Sequence, residues 1–139
     1  GDLIDALVAD KRKRGELDIS NHPLTRPAMI ESESIKRFST IGASLEYPVH
    51  VVHVSSKEGV EEILRERALG HTVTCETCPQ YLVLDESRYS LPNYEGAKYV
   101  MSPPLRTKVD QMTLKEALVN GTFQLLAPIT VASILRVKN

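Results

Sequence analysis

The chain contains 139 residues, which is enough for one domain with a buried core. Its 17 Lys and Arg residues nearly balance 18 Asp and Glu residues, and it contains no Trp, so neither charge nor aromatic content indicates a nucleic-acid partner. No apolar run reaches the length of a membrane span, no signal-peptide pattern opens the sequence, and the two cysteines imply no disulfide framework, so we expect a reduced, cytoplasmic protein.

The first half of the sequence predicts two helices followed by a strand. Apolar residues recur at helical spacing over residues 2–14. A connection rich in Asn, Ser, Pro and Gly covers residues 15–27. A second helix, from Pro27 to about residue 46, is predicted to bury one apolar face. This face consists of Ile30, Ile35, Phe38, Ile41 and Leu45. The β-branched run of residues 49–54 then predicts a strand that is covered on both faces.

The second half continues the alternation of helices and strands. Ser55, with Glu58 three residues later, fits a capping box at the start of a helix. Residues 72–78 predict a strand, residues 107–121 predict a helix, and residues 123–126 predict a further strand. Because strands that alternate with helices are joined by crossover connections, we expect an α/β fold with a parallel sheet.

Two histidines, His50 and His53, lie in the predicted strand of residues 49–54. Successive side chains of a strand point to opposite faces, so these two are expected not to share one metal ion. His53 lies at the carboxyl end of the strand, where parallel α/β folds carry their active sites, whereas His50 lies near the other end. A single His lacks the partners that a metal site needs, so the pattern alone favours a hydrogen-bonded, structural role.

Cys75 and Cys78 form a C-x-x-C motif, which occurs in zinc sites and in redox-active proteins. The sequence contains no second Cys/His pair at zinc-ligand spacing. A redox motif opens a helix, whose positive end lowers the thiol pKa, whereas here Pro79 and the apolar run of residues 81–84 follow a strand. We therefore expect two buried, unreactive thiols.

Residues 101–106, with the sequence Met-Ser-Pro-Pro-Leu-Arg, predict a rigid loop. Pro103 lacks a hydrogen-bond donor and restricts Ser102 to extended geometry. Such a loop can hold the backbone groups of Ser102 in fixed positions for a ligand. Taken alone, however, the segment is better explained as a stiff connection.

Six segments stand in the order and spacing of one enzyme family. They are GDLI at Gly1, HPLTRP at His22, VVHVSS at Val51, ETCPQYL at Glu76, EGAKYVMSPPLR at Glu95 and NGTFQ at Asn120. On these segments, residues 1 to about 124 resemble an internal piece of a D-hydantoinase/dihydropyrimidinase, which is a cyclic amidohydrolase. Several motifs in register are more specific than any one of them.

The resemblance implies that the chain forms roughly the second half of a (β/α)8 TIM barrel, with two zinc ions at its mouth in the intact enzyme. It also implies hydrolysis of a ring amide, as in dihydrouracil or hydantoin, with an aspartate as general acid/base. His53 matches one of the metal-ligating histidines. Ser102 matches a residue whose backbone groups hold the ring amide of the substrate.

Of the family's other metal ligands, the histidines and a carboxylated lysine would lie before Gly1, and the aspartate would lie in the tail segment, from which it is absent, so we expect the chain alone to be inactive. The intact protein is expected to be a homodimer or homotetramer, as family members commonly are. Two alternatives stay open. One is a non-catalytic relative that keeps the barrel for protein interaction, which the presence of His53 argues against mildly. The other is a small redox or metal module built on Cys75 and Cys78.

Residues 125–139 depart from the family pattern. After NGTFQ the family reads something like VVGTDHCSFNFKGQK, where the Asp is the general base, whereas this chain reads LLAPITVASILRVKN. The genetic code offers an explanation for residues 127–139. The first two bases of each of these residues' codons can also be the last two bases of a codon that starts one base earlier. When the codons are shifted in this way, every position from Ala127 to Asn139 can encode the corresponding residue of the family sequence. We therefore expect an out-of-frame tail, caused by loss of a single base near the codon for Gln124, and no catalytic residue in the chain.

Overall fold

Three short parallel strands form the sheet in residues 1–127, the part of the chain that this computed structural model describes. Strand β1 is Val49–Val51, β2 is Val73–Thr77 and β3 is Leu125–Leu126, and they lie in this order across the sheet. Both pairs of neighbouring strands are parallel, with Val49 opposite Val73 at the start of the first pair. The parallel sheet expected from the alternation of helices and strands is therefore confirmed.

Five α-helices precede or connect the strands within residues 1–127. They are α1 (Asp2–Lys13), α2 (Ala28–Ser44), α3 (Lys57–Ala68), α4 (Pro79–Val83) and α5 (Lys108–Val119). Short 3-10 helices lie in the connections at Ile19–Asn21, Pro23–Thr25, Glu86–Ser90 and Glu95–Tyr99. The four predicted helices are confirmed, and α4 is an addition to them. None of the helices in this part of the chain is both long and apolar enough to cross a membrane.

The core lies on one face of the sheet, against helices α2, α3 and α5. Along β2, Val73, Cys75 and Thr77 are buried while Thr74 and Glu76 are only half-buried, so the helices cover one face more fully than the other. The side chains that are almost completely buried come from strands, helices and loops, and they include Val54, Ile63, Cys75, Tyr81, Leu105 and Leu114. Burying this many large apolar groups supplies the main driving force for folding.

Strand β1 is shorter than predicted, because it ends at Val51 instead of Val54. The chain leaves the strand direction at His53, whose φ of +47° lies in the left-handed region. The alternation of side chains along a strand therefore does not determine where His53 points. The face of β1 that carries His50 is exposed, so a strand covered on both faces was the wrong expectation for the described residues.

Helix α3 begins one residue later than the capping-box pattern predicted. Ser56 is the N-cap, and its hydroxyl oxygen accepts a hydrogen bond from the Gly59 N–H at 3.0 Å. Ser55 does not cap the helix because its hydroxyl donates to the carboxylate of Glu31. The predicted pairing of Ser55 with Glu58 is therefore wrong, although the helix itself is present.

Helix α2 buries a face of small residues instead of most of its predicted apolar face. Ile35 is buried, as predicted, but three other members of that face are more exposed than buried: Phe38 (67%), Ile41 (51%) and Leu45 (61%). The core side of the helix continues from Ile35 through Ser39 to Gly42, at helical spacing. Gly42 packs so closely on Val49 that a Cβ atom there would collide with the valine side chain.

Side chains as well as backbone pairing hold β3 beside β2. The side-chain oxygen of Gln124 accepts a hydrogen bond from the Cys75 N–H at 2.8 Å, and the Gln124 N–H donates to the Cys75 carbonyl at 3.0 Å. Arg67 of α3 donates to the Thr122 carbonyl at 3.0 Å and to Gln124 Oε1 at 3.1 Å. The residue that precedes Leu125–Leu126 is thus fixed before the strand begins.

Candidate functional site

His53 lies in the loop that follows β1, at the carboxyl end of the sheet. Its imidazole is half-buried and makes no hydrogen bond within residues 1–127. A positive φ is uncommon for a residue other than glycine, and such strain persists only where the surroundings fix the backbone. The ring is therefore presented by a constrained backbone and is available to a ligand.

The residue after His53 is fixed to β2 through both of its backbone groups. The Val54 N–H donates to the Glu76 carbonyl at 2.9 Å, and the Thr77 hydroxyl donates to the Val54 carbonyl at 2.7 Å. Both Val54 and Thr77 are fully buried. The loop therefore stays attached to the sheet although regular pairing with β2 stops at Val51.

Glu31, near the start of α2, fixes the next two residues of the loop. One carboxylate oxygen accepts hydrogen bonds from the Ser55 N–H at 3.0 Å, from the Ser56 N–H at 3.1 Å and from the Ser56 hydroxyl at 2.8 Å. The other oxygen accepts from the Ser55 hydroxyl and lies 3.6 Å from the guanidinium of Arg106. The glutamate and arginine side chains are 11% and 8% exposed, so this ion pair is largely buried.

Ser102 is exposed, and it makes no hydrogen bond to the described residues, whereas its neighbours are held firmly. The Met101 carbonyl lies 2.8 Å from Nε2 of His22, and the Pro103 carbonyl accepts from the Tyr81 hydroxyl at 2.8 Å. Three further contacts fix the end of the loop. They are Leu105 N–H to the Tyr89 hydroxyl at 2.8 Å, Arg106 Nε to the Ser55 hydroxyl at 3.2 Å, and Arg106 to the Arg26 carbonyl. The residues on both sides of Ser102 are thus held by hydrogen bonds to other segments.

His22 binds the Ser102 loop as a neutral imidazole. A carbonyl oxygen can only accept, so Nε2 carries the hydrogen, and Nδ1 then faces the guanidinium of Arg26 at 3.4 Å. Burial lowers the pKa of His22, the hydrogen bond to Met101 opposes this, and the nearby Arg26 and Arg106 lower the pKa further. The lowered pKa and the guanidinium that faces Nδ1 both favour the neutral form.

His50 has its own partners on the exposed face of the sheet. Nδ1 lies 2.8 Å from the Thr74 hydroxyl, and Nε2 lies 3.3 Å from a carboxylate oxygen of Glu76. These contacts match the structural, hydrogen-bonded role predicted from the sequence.

The two cysteines are buried and unpaired in the structure. Cys78 is the N-cap of α4, so the expectation that no helix follows the motif was wrong: Pro79 occupies the first helical position. Burial nevertheless raises the pKa of Cys78 to about 11, and the charge of Glu76 acts in the same direction. Burial also raises the pKa of Cys75. Redox-active thiols have lowered pKa values, whereas the pKa values of these two thiols are raised.

Within residues 1–127, no group of three or more His, Cys, Asp or Glu side chains could hold a metal ion. A zinc ion needs about three or four ligands, so His53 alone does not form the implied site. The predicted tail of residues 125–139 falls mostly outside the described residues, which end at Ala127. The described residues therefore do not fit a complete metal centre.

Three residues that contribute to this region were not singled out from the sequence: His22, Glu31 and Arg106. His22 and Arg106 lie in the HPLTRP and SPPLR segments, but their roles depend on contacts with residues 79 and 51 positions away in the chain. In the sequence, Glu31 and Glu33 both look like exposed acids on the polar side of a helix. A glycine at position 59, inside a predicted helix, was the signal that something packs closely there.

The chain is similar to proteins that are named for the hydrolysis of cyclic amides. It is 47% identical to a D-hydantoinase of Geobacillus stearothermophilus over 126 residues, which are 91% of this chain and 27% of that protein. It is 36% identical to an allantoinase of Escherichia coli O1:K1 / APEC over 124 residues. The chain thus spans about a quarter of the length of these relatives, 27% in both cases. No family model matches it.

Solved structures show the same relationship. The dihydropyrimidinase of Brevibacillus agri NCHU1002 superposes on 92% of this chain with a TM-score of 0.89 and 42% identity, and the match covers 28% of that structure. A D-hydantoinase structure superposes with a TM-score of 0.88 and 45% identity. The helices and the small parallel sheet of residues 1–127 therefore match one part of these structures.

Proposed function

The chain is homologous to one segment of the D-hydantoinase/dihydropyrimidinase family, and from this relationship we propose that it contributes part of the active site of a cyclic amidohydrolase. The proposed reaction is hydrolysis of the ring amide of a dihydropyrimidine or hydantoin. In this proposal, residues 1–124 form part of a (β/α)8 barrel, and the intact protein is a homodimer or homotetramer. The identity to D-hydantoinases over nine-tenths of the chain is the observation that carries the proposal.

The proposed roles are that His53 is a metal ligand and that the backbone of Ser102 binds the ring amide. A constrained backbone and an imidazole without a hydrogen-bond partner in residues 1–127 support the first role. The second is supported by an exposed serine between neighbours that are each held by a side chain. When bound, the metal ions, zinc in this proposal, would activate water and polarise the amide carbonyl.

A chimera tests this proposal. Residues 1–124 replace the matching segment of the Geobacillus stearothermophilus D-hydantoinase, and zinc content and turnover of hydantoin and dihydrouracil are measured. We expect turnover in the chimera and none in the 139-residue chain alone, with or without zinc. His53→Ala should lower both bound zinc and turnover, the latter by more than about 100-fold, since even partners of metal ligands account for 10–100-fold.

His50→Gln is the matched control, because His50 lies in β1, three residues before His53, but has partners on the sheet. It should retain zinc and most of the turnover. Equal effects of the two substitutions would contradict the assignment of His53. A folded chimera that binds zinc without turnover would favour the non-catalytic relative.

We also propose that residues 125–139 are an out-of-frame translation. The chain contains 139 residues, while its matches to curated relatives are 126 and 124 residues long, so 13 and 15 residues stay outside these matches, close to the length of the tail. Sequencing the gene across the codon for Gln124 tests the idea. If insertion of one base does not open a frame that encodes GTDHC, the proposal is wrong.

A further inference from the structure

We propose that Glu31 is a positioning residue that holds the His53 loop and the Ser102 loop together, through Ser55 and Arg106. The inference rests on the proposed function, since it concerns the two residues to which that function assigns a ligand. Glu31 itself is proposed to contact neither the metal nor the substrate. Glu31 belongs to α2, whereas the two loops follow β1 and the 3-10 helix Glu95–Tyr99, so three separate segments meet at one carboxylate.

The carboxylate of Glu31 occupies the amino-terminal end of α3. It accepts the N–H groups of Ser55 and Ser56, the two residues before the helix, and the positive end of the helix dipole favours a negative charge there. The Ser56 hydroxyl donates to the carboxylate while it accepts from the Gly59 N–H. The cap of α3 and the glutamate therefore form one hydrogen-bonded unit.

Gly59 is required by this arrangement. A Cβ atom at position 59 would collide with the nearer carboxylate oxygen of Glu31, and it would lie 3.2 Å from the carboxyl carbon and 3.1 Å from Ser56 Oγ. Glycine inside a helix is otherwise unfavourable relative to alanine. The absence of a side chain at position 59 therefore leaves the space that the Glu31 carboxylate occupies.

The same carboxylate reaches the Ser102 loop through two contacts. Ser55 donates its hydroxyl hydrogen to Glu31 and accepts from Arg106 Nε at 3.2 Å, and the guanidinium of Arg106 also lies 3.6 Å from the carboxylate. Arg106 is four residues after Ser102 and is 8% exposed. Because the charges are buried, losing one partner leaves the other without compensation.

The three residues that follow His53 are all held by hydrogen bonds: Val54 is bonded to β2, and Ser55 and Ser56 are bonded to Glu31. A left-handed backbone at His53 persists only while such contacts hold it. If Glu31 is removed, we expect His53 to relax from positive φ and Ser102 to move with it.

A double-mutant cycle on the 139-residue chain tests whether Glu31 occupies the space beside Gly59. Gly59→Ala should lower the ratio of folded to unfolded chain about tenfold or more in urea titrations of the wild type, because the added methyl group overpacks a filled site. In a Glu31→Ala background the same substitution should leave the ratio unchanged or raise it up to about fivefold, since alanine favours the helix. A penalty of the same size in both backgrounds would overturn the inference.

NMR of the labelled chain then tests positioning as distinct from stability. Spectra are recorded where far-UV circular dichroism shows that each variant is folded. Glu31→Gln should remove the strong HN–Hα cross-peak that marks positive φ at His53 and should shift the Ser102 amide resonance. Glu33→Gln, an exposed acid on the same helix that pairs with Arg37, is the matched control and should change neither.

Ser55→Ala provides the second variant if Glu31→Gln does not fold. It removes the hydroxyl that joins Glu31 to Arg106 but keeps the Ser55 N–H bond to the carboxylate. We expect shifts at both His53 and Ser102. Unchanged signals at either residue in a folded variant would overturn the inference. None of these measurements uses metal or substrate, so their failure is distinguishable from failure of the chimera.

Discussion

Replacement of Tyr89 by Phe tests how the Ser102 loop is held. The Tyr89 hydroxyl accepts the Leu105 N–H at 2.8 Å, and the two residues are 2% and 0% exposed. Phenylalanine keeps the ring and its edge-on contact with His22, whose ring centroid lies 5.5 Å away. The substitution therefore removes one acceptor and leaves a buried N–H without a partner.

The expected loss follows from that burial. A buried donor left unsatisfied costs about 1–3 kcal/mol, and complete burial of Leu105 excludes water from taking the place of the hydroxyl. We expect the free energy of unfolding of Tyr89→Phe to fall by about 2 kcal/mol, which is roughly a 30-fold change in the folded-to-unfolded ratio. Tyr81→Phe should cost less, about 1 kcal/mol, because the Pro103 carbonyl that it leaves behind is only half-buried.

Urea unfolding followed by far-UV circular dichroism measures both losses, provided that the slope of free energy against urea stays constant. Tyr47→Phe is the control, because Tyr47 is 71% exposed and its loss should stay within about 0.5 kcal/mol. A Tyr89→Phe variant as stable as the Tyr47→Phe variant would refute the reasoning that the buried Leu105 N–H depends on this hydroxyl as its acceptor.

Two further predictions concern titratable groups. Because burial raises the pKa of both Cys75 and Cys78, we expect both thiols to react slowly with a thiol reagent at about pH 8 in the folded chain and rapidly in urea. Fast labelling of the folded chain would instead support the alternative of a redox module. The folded-state pKa of His22 is lowered, so its contribution to stability is complete above the unfolded pKa of about 6.5 and is lost as pH falls through that value towards the folded pKa. The wild type should therefore lose more stability than His22→Gln on acidification across this range, and an equal loss would contradict a neutral His22.

Helices with local start signals were predictable from the sequence. Thr107 and Asp110 form the two reciprocal hydrogen bonds of a capping box, so α5 begins where residues 107–110 indicate. The start of α3 was missed by one residue because the pattern offers two serines. Only the contact between Ser55 and Glu31, which are 24 positions apart, decides between them.

The burial on α2 and the path after β1 depend on tertiary packing. The apolar residues of α2 predict a buried face, but the buried side of the helix runs through Ser39 and Gly42, and Gly42 packs closely on Val49. Likewise the run of residues 49–54 has the composition of a strand throughout. Its last residues depart from strand geometry at His53, whose φ is positive, and Val54 and Ser55 are then held by non-local hydrogen-bond partners. Both outcomes follow from neighbours that a local pattern does not contain.

The way in which Gln124 fixes β3 bears on how a change of reading frame would affect the fold. Leu125 and Leu126 pair with β2 through backbone groups, and the Ala127 N–H donates to the Thr77 carbonyl at 3.0 Å. These backbone groups are the same for every residue type except proline, and both leucines are exposed. A lesion directly after Gln124 that encodes no proline at residues 125–127 would thus leave the backbone pairing of β3 with β2 intact.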